Sequence, residues 1–488
     1  MSNSALLPYC RSVPGFGKKT VLAVATLFVL SGCASVNFDQ SIAKTNEQAA
    51  SFTQGQLALA RTNDQRTEMD RVAHEILSKP VGQSDAVRLA LVTSPALQAM
   101  LAQNWADVAG VAQTGRIANP VLRFERLRFA DELELGRLLS FGLLDLLTLP
   151  QRYKMAERQI AQQQLRLTSN VIDQVTQVRQ AWVRAVAAQQ SLVYAKQVND
   201  AAQASSELAR RLQAAGNFTK LQRARQQAFY ADAATQWAAA KHASTSTREE
   251  LTRLLGLTES QSEVLVLPDR LPELPSSPRS PDDVSKLASK GRLDIQLAQA
   301  ELDAQAKAQG LNLLTSFTDI ELGVRRDTVF ANVASPAAGT STSKRGYEVS
   351  VRLPIFDWGG NQRDAMNAQT LATANRLEAT VRTAGSNLRE NYSAYRTTYD
   401  VSKHYRDEVV PLRKTISEEN VLRYNGMLIG VFELLADTRD QVNSVMAAIS
   451  AEQQFWLADA ALQASIMGKP TMATVGAMAS GGGGDAGH

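Results

Sequence analysis

Cys33 is the residue of this chain best placed for covalent chemistry. A thiolate is the most reactive nucleophile among the side chains, and the 488 residues hold only one other cysteine, Cys10. Before Cys33 come a basic lead (Arg11, Lys18, Lys19), a short apolar run over residues 21–30, and the small residues Ser31 and Gly32. That order is the order of an export signal cut at small residues, and the run is far shorter than the ~20 apolar residues of a spanning helix. Cleavage before Cys33 would leave its thiol on the first residue and remove Cys10, so no disulfide is expected. Other chemistry finds few groups to use. His74, His242, His404 and His488 are far apart, and none has a second histidine at helical spacing, so neither a metal site nor an imidazole-based catalytic centre is predicted. There is no phosphate-cradling glycine loop, no GxSxG and no CxxC. No catalytic residue and no enzyme activity are expected. One carboxylate group stands out: Glu433, Asp437 and Asp440, at i, i+4 and i+7, share a helix face.

The stretch Leu30-Ser31-Gly32-Cys33 resembles the bacterial lipoprotein signal, in which the thiol is acylated and the new N-terminus takes a further chain. The alternative is an ordinary secretory signal with a chance cysteine. One acyl chain binds a bilayer marginally and several bind firmly, at about 0.8 kcal/mol per buried CH₂. Ala34 follows, where an Asp tends to hold such lipoproteins at the inner membrane, so the outer membrane is favoured. Residues 1–32 are read as the lipoprotein signal and 33–80 as an acylated periplasmic segment. Removing residues 1–32 takes away three bases and no acids, leaving 49 basic against 48 acidic residues. The charges are interspersed, so no nucleic-acid surface is implied.

No run after residue 32 is long enough to span a membrane as a helix, so any crossing must be made by strands. Prolines at 268, 272, 275, 278 and 281 divide the chain into a first repeat over 81–255, a linker over 256–281, a second repeat over 282–468, and a Gly-rich tail over 469–488. Both repeats run helix, strand, strand, long helix, turn, helix. Leu149-Pro150 matches Leu353-Pro354, and Gly216 matches Gly426. Val171, Val175, Val178, Trp182, Ala185 and Leu192 mark one long helix from Pro150 to Ala215, and Leu377, Val381, Ala384, Leu388, Tyr395 and Tyr399 mark the other. Gly216 and Gly426 end these helices, return helices follow over about 218–254 and 430–466, and Pro411 predicts a kink or break.

The predicted strands alternate. Leu133, Leu135, Leu139, Phe141 and Leu143 oppose Glu132, Glu134, Ser140 and Gly142; Tyr347, Val349, Val351 and Leu353 oppose Glu348, Ser350 and Arg352. The stretch VLRFERLRF shifts phase near Arg126, and ANVASPAAGTSTSKRG reads as a surface loop between strands 3 and 4. A half-buried soluble sheet alternates in the same way. In a membrane, four strands cannot close a barrel, since the smallest need eight, so the chain would have to oligomerise to shield its edges.

The lipoprotein signal, the duplicated unit, NPVL opening the first strand, LPIFDWGG closing the fourth, and the turns AAGNFTKLQRA and YNGMLIGVFELLA together resemble the TolC-like outer membrane factor family over roughly residues 81–468. The resemblance implies a mainly α fold with a membrane β-barrel. Long helical hairpins would form a periplasmic α-barrel, and two strand pairs per chain would join a twelve-stranded barrel in a homotrimer. It also implies passive conduction from an inner-membrane pump, through a periplasmic adaptor, to the exterior, with RND-type pumps the usual partners of acylated members. Covalent lipid on Cys33 would be the only attached group. The tips at Gly216, Phe218, Gly426 and Leu428 would meet the adaptor. Glu433, Asp437 and Asp440 would ring the constricted entrance, held by hydrogen bonds or by Arg439. Alignment on Gly426 sets them opposite Arg223, Gln227 and Tyr230. Two other readings stay open: the exit duct of a type I secretion system, and a trimeric coiled-coil lipoprotein tether, which would lack duplicated strand pairs.

Mass spectrometry of the mature N-terminal peptide is expected to find Cys33 acylated. An unmodified Cys33, or a chain still beginning at Met1, would reject this reading.

Overall fold

The structure, a computed structural model, describes residues 37–129, 132–289, 291–317, 319–331, 341–353 and 355–470. The leader, Cys33 and the tail from residue 471 lie outside the described residues. The chain begins with α1 (Phe38–Thr53), α2 (Asn63–Leu77), α3 (Gln83–Thr93) and α4 (Pro95–Thr114), then β1 (Val121–Phe129) and β2 (Glu132–Gly142). The long α5 (Leu143–Ala214) and its return α6 (Lys220–Leu255) follow, then α7 (Glu259–Glu263), α8 (Pro281–Ser289) and α9 (Leu293–Phe317). The second repeat continues with β3 (Ile320–Ala331), β4 (Ser341–Val351), α10 (Gly360–His404), a π-helical turn at Tyr405–Val409, α11 (Val410–Asn425) and α12 (Val431–Ile466). Two compact units result, one containing residues 109–157 and 310–359, the other 37–108, 158–309 and 360 onward. No helix of the described residues is long and apolar enough to cross a membrane.

The first unit is built on one antiparallel sheet in the order β1-β2-β3-β4. Its registers run without interruption, from Val121↔Ser140 to Phe129↔Glu132, Gly142↔Glu321 to Glu132↔Ala331, and Ile320↔Val351 to Phe330↔Ser341. Opposite residues share a face, so β1 keeps its alternation through Arg126. The apparent phase shift arises because Arg126 and Arg128 take places where apolar residues were expected. Three strand boundaries differ from expectation, one of them the end of β4, which closes at Val351 before Leu353. Leu143 opens α5 rather than closing β2, because LLDLLTL lacks two-residue alternation and is rich in a strong helix former. The helix also runs through Pro150, whose ring removes a bond to the Leu146 carbonyl; Leu146 is solvent-exposed. In addition, Ser341–Gly346, expected as loop, pair with Arg325–Phe330 as strand.

The second unit buries most of the two predicted helical stripes, although Val381 of α10 is 48% exposed. Val171, Val175, Val178, Trp182 and Ala185 are all at most 2% exposed, and Trp182 Nε1 donates to the Val81 carbonyl at 2.8 Å. The N-terminal helix α1 adds Phe38, Ile42 and Phe52 to this core. A smaller cluster joins Tyr395, Tyr399, Phe455 and Leu462 to Leu274 and Val284.

The proline-rich stretch lies on these helices, with Leu265, Leu267, Leu271 and Leu274 buried. Prolines carry carbonyls but no N–H, so such a segment needs donors from elsewhere. Trp456 Nε1 donates to Pro272 O at 3.1 Å, Tyr399 Oη to Pro275 O at 3.0 Å, and Tyr392 Oη to Arg279 O at 3.1 Å. Tyr395 Oη accepts from Arg279 N at 3.2 Å. Pro411 acts as expected: the helix is interrupted just before it, where the π turn at Tyr405–Val409 absorbs the misfit of the ring with the preceding turn.

Tyr399→Phe keeps the buried ring and removes the donor to Pro275. It is expected to lower stability by about 1 kcal/mol, read as a lower denaturation midpoint at unchanged helix content. An unchanged midpoint would show that water replaces the hydroxyl.

Candidate functional site

Both hairpin turns end a long helix, and their backbones differ. In the first, Gly216 adopts φ +80°. Asn217 N donates to Leu212 O at 2.9 Å and Gly216 N to Gln213 O at 3.0 Å, which is a Schellman close. The return helix then starts in a full capping box: Gln222 N donates to Thr219 Oγ1, and Thr219 N to Gln222 Oε1 at 2.7 Å. Arg223 Nη1 reaches back to Gln213 Oε1 at 2.9 Å and ties the two arms together.

The second turn makes the same six-residue close, from Leu428 N to Arg423 O at 2.8 Å, but its left-handed residue is Met427, at φ +59°, while Gly426 sits at φ −81°. Gly426 is the C-cap that ends α11, as expected, but the left-handed corner falls one residue later. Gly216 corresponds to Met427, and the repeats align one residue away from the Gly216–Gly426 match. The N-cap here is Gly430, which offers no side-chain bond. Met427 is 93% exposed and Leu428 75%. Phe218 is only half-exposed and Leu221 of the first tip is 62% exposed, so both tips carry apolar surface, with Met427 and Leu428 the most exposed.

The corrected alignment sets Glu433, Asp437 and Asp440 opposite Gln222, Gln226 and Phe229. The three carboxylates have separate environments. Glu433 is exposed. Asp440 pairs with Arg413 of α11 at 3.3 Å. Asp437 is buried at 8% exposure, and its Oδ2 has no hydrogen-bond partner within the chain; its counterpart Gln226, 3% exposed, likewise has an unpartnered Oε1. Arg439 does not clamp these carboxylates but stacks on Phe229 of the first hairpin, 4.5 Å from the ring centre. The carboxylate spacing was legible in the sequence. The burial of Asp437 and Gln226 was not, because it depends on which neighbouring helix covers each face.

Further along the helices, a cavity of about 1090 Å³ is lined by Gln189, Tyr194, Arg270, Glu273, Arg406 and Glu452 among others. Burial pushes the Glu452 carboxyl up to about 7, against the pull of Arg270 and Arg406. Among the described residues, no group of His, Cys, Asp and Glu is arranged to hold a metal.

No family model and no curated protein matches this chain. Solved structures do. The Campylobacter jejuni CmeC outer membrane channel aligns with a TM-score of 0.66 at 15% identity, over 85% of this chain and 89% of its own. A Pseudomonas aeruginosa membrane protein gives 0.63 at 19% identity, over 82% and 93%. The open state of the Neisseria gonorrhoeae MtrE outer membrane channel gives 0.61 at 17% identity, over 82% and 89%. The chain thus has the fold of the TolC-like outer-membrane channels: long helices, two hairpin turns and a four-stranded antiparallel sheet.

A methionine at φ +59° costs of the order of 1 kcal/mol that a glycine avoids. Met427→Gly is therefore expected to slow hydrogen exchange in peptides spanning residues 424–432 by about fivefold, leaving the tip at Gly216 unchanged. Equal exchange rates in variant and wild type would show that this corner is not what limits opening of the second tip.

Proposed function

We propose that this chain is a TolC-like outer membrane factor: an outer-membrane channel that conducts substrates out of the periplasm without chemistry of its own. The observation that carries the reading is the sheet. Its outermost strands, β1 and β4, are 9 and 11 residues long, and neither has a second neighbour among the described residues. Strands of eleven residues tilted by about 40° rise roughly 25–30 Å, enough for an outer-membrane barrel wall. In lipid the open edges must be paired. Three copies supply twelve strands, the number expected from the family resemblance, and each copy adds its helices to a periplasmic tunnel.

In this reading Cys33 carries the lipid that holds the chain at the outer membrane. The tips at Gly216–Phe218 and Gly426–Leu428 meet a periplasmic adaptor, the exposed Met427 and Leu428 giving the second tip the larger apolar contact. Glu433, Asp437 and Asp440 lie near the entrance, three copies of each around the axis. The lipoprotein signal favours an inner-membrane pump of the RND type as the driving partner; a type I secretion duct is the second reading. A coiled-coil tether is disfavoured because it has no use for the sheet.

The test is the assembly state and conductance of the purified full chain. A trimer in mild detergent that forms ion-conducting channels in planar bilayers is expected. Asp437→Ala with Asp440→Ala, which removes a buried carboxylate and frees Arg413, is expected to raise single-channel conductance and weaken block by divalent cations. A monomer without channel activity would overturn the proposal; unchanged conductance and block in the double variant would remove these two residues from the entrance.

A further inference from the structure

The cavity in the helical unit takes its walls from α5, the proline-rich stretch, the π turn with the helices it joins, and α12. Its volume, about 1090 Å³, is that of a site for a small organic molecule. Charge is distributed unevenly over it. Asp269, Arg270, Glu273 and Arg406 line the cavity but are solvent-exposed, so they form its mouth, whereas Glu452 of α12 is half-buried. Acids outnumber free bases at that mouth, because the Arg406 fork is taken by the neighbouring Asp407, at 2.7 Å from Nε and 3.2 Å from Nη2. Around Glu452 the wall is aliphatic, with Val193, Leu274, Val445 and Ile449 on it.

The unmet polar groups inside are ones that accept hydrogen bonds. Among the described residues Glu452 has neither an ion pair nor a hydrogen bond, and the buried Gln190 Oε1 has no donor. Ser402 lines the same cavity at 3% exposure, and its hydroxyl has no partner among the described residues. Buried acceptors left open are costly, so the cavity favours an occupant that donates. A bare metal ion does not fit, because among the described residues no group of His, Cys, Asp and Glu is arranged to hold one. An anion would meet the Glu452 carboxylate with nothing inside to offset it. A cation with N–H donors on an apolar body matches the acceptors and the aliphatic wall together.

We propose that this cavity binds an organic ammonium ion, whose N–H groups donate to Glu452, Gln190 Oε1 and the Ser402 hydroxyl while its hydrocarbon body lies on Val193, Val445 and Ile449. A charge-assisted bond in a half-buried site is stronger than a neutral one, and the Tyr194 ring on the same wall offers a cation an attractive face. The ammonium needs Glu452 ionised. Burial pushes that carboxyl up to about 7, with Arg270 and Arg406 pulling it down and Glu273 adding to the rise; Asp269 is the remaining charged residue of the lining, and α5 brings none. The cation must therefore displace a proton, so its affinity rises as pH goes up through 7 and is lost below it. Every lining residue belongs to the helical unit, so the inference stands apart from the channel reading.

The test is isothermal titration calorimetry of the full-length protein in detergent, against a blank of empty micelles, with n-hexylammonium, n-hexanol and n-hexanoate as probes. Wild type is expected to bind the ammonium roughly tenfold to hundredfold tighter than the alcohol, and about tenfold tighter near pH 8 than near pH 6. Glu452→Gln, which keeps the volume and removes the charge, should abolish both the preference and the pH dependence. Glu378→Gln, at an exposed acid of α10 outside the cavity, should change neither. Equal affinity of wild type for ammonium and alcohol overturns the proposal without reference to any variant, and so does absence of binding by all three probes. A preference for hexanoate would mark an anion site at Arg270, and displacement of the ammonium by millimolar magnesium a site for bare cations; either overturns it. An ammonium preference that survives Glu452→Gln overturns the assignment to this cavity.

Discussion

Backbone hydrogen bonding at the two edges of a four-stranded sheet sets the terms for this protein. Among the described residues β1 and β4 each pair on one side only, and their outward N–H and C=O groups are obligatory hydrogen-bonding groups. In water such edges invite uncontrolled pairing; in a bilayer each unpaired group costs several kcal/mol. The described chain brings no fifth strand to either edge. Closure by further copies, in the channel reading, removes both edges together, and it explains why a chain of this length devotes only four strands to the task. It also explains the ladder's unbroken register, since a one-residue slip would exchange the two faces of a strand.

The helical unit is held by a different economy of polar groups. Its proline-rich stretch offers carbonyls without donors, and aromatic side chains of α10 and α12 supply them through hydroxyl and indole groups while their rings fill the core. Near the same seam Arg179 is 5% exposed and reaches Phe52 O and Gln463 Oε1, Gln463 donates to Asp459, and Asp459 pairs with Arg279 at 3.3 Å. Burial pushes the Asp459 carboxyl up while Arg279 pulls it down. Such a network ties the N-terminal segment, α5, α12 and the proline stretch into one arrangement, and its members are costly to remove singly because each would leave a buried partner unsatisfied.

The duplicated hairpins have diverged at their ends. The first tip has a glycine in its left-handed corner, a complete capping box and a side-chain strap from Arg223 to Gln213. The second puts a methionine in that corner, caps its return helix with a bare glycine, and leaves Met427 and Leu428 in solvent. Local free energy therefore favours order at the first tip and exposes apolar surface at the second. In an assembly that docks a partner by its tips, the second hairpin would gain more from being covered.

Much of this architecture was determined by the sequence alone. The 4,3 spacing through Val171 and Trp182 specifies a buried stripe because helix periodicity is local, and Pro411 announces an interruption because its ring forbids a regular turn. The α12 boundaries at Val431 and Ile466 follow from a glycine stop and a continuous apolar pattern. Tertiary structure alone decided the rest. Arg126 and Arg128 looked like a change of phase until pairing with Leu135 and Leu133 placed them on the apolar face. Ser341–Gly346 looked like loop until β3 supplied hydrogen bonds to a polar strand. Met427, one residue past the glycine that ends the helix, took the left-handed corner because the closing bond from Leu428 to Arg423 fixes which residue must turn. In each case the deciding energy belongs to a partner distant in sequence or to a closing hydrogen bond, and residue type and spacing do not encode which partner will arrive.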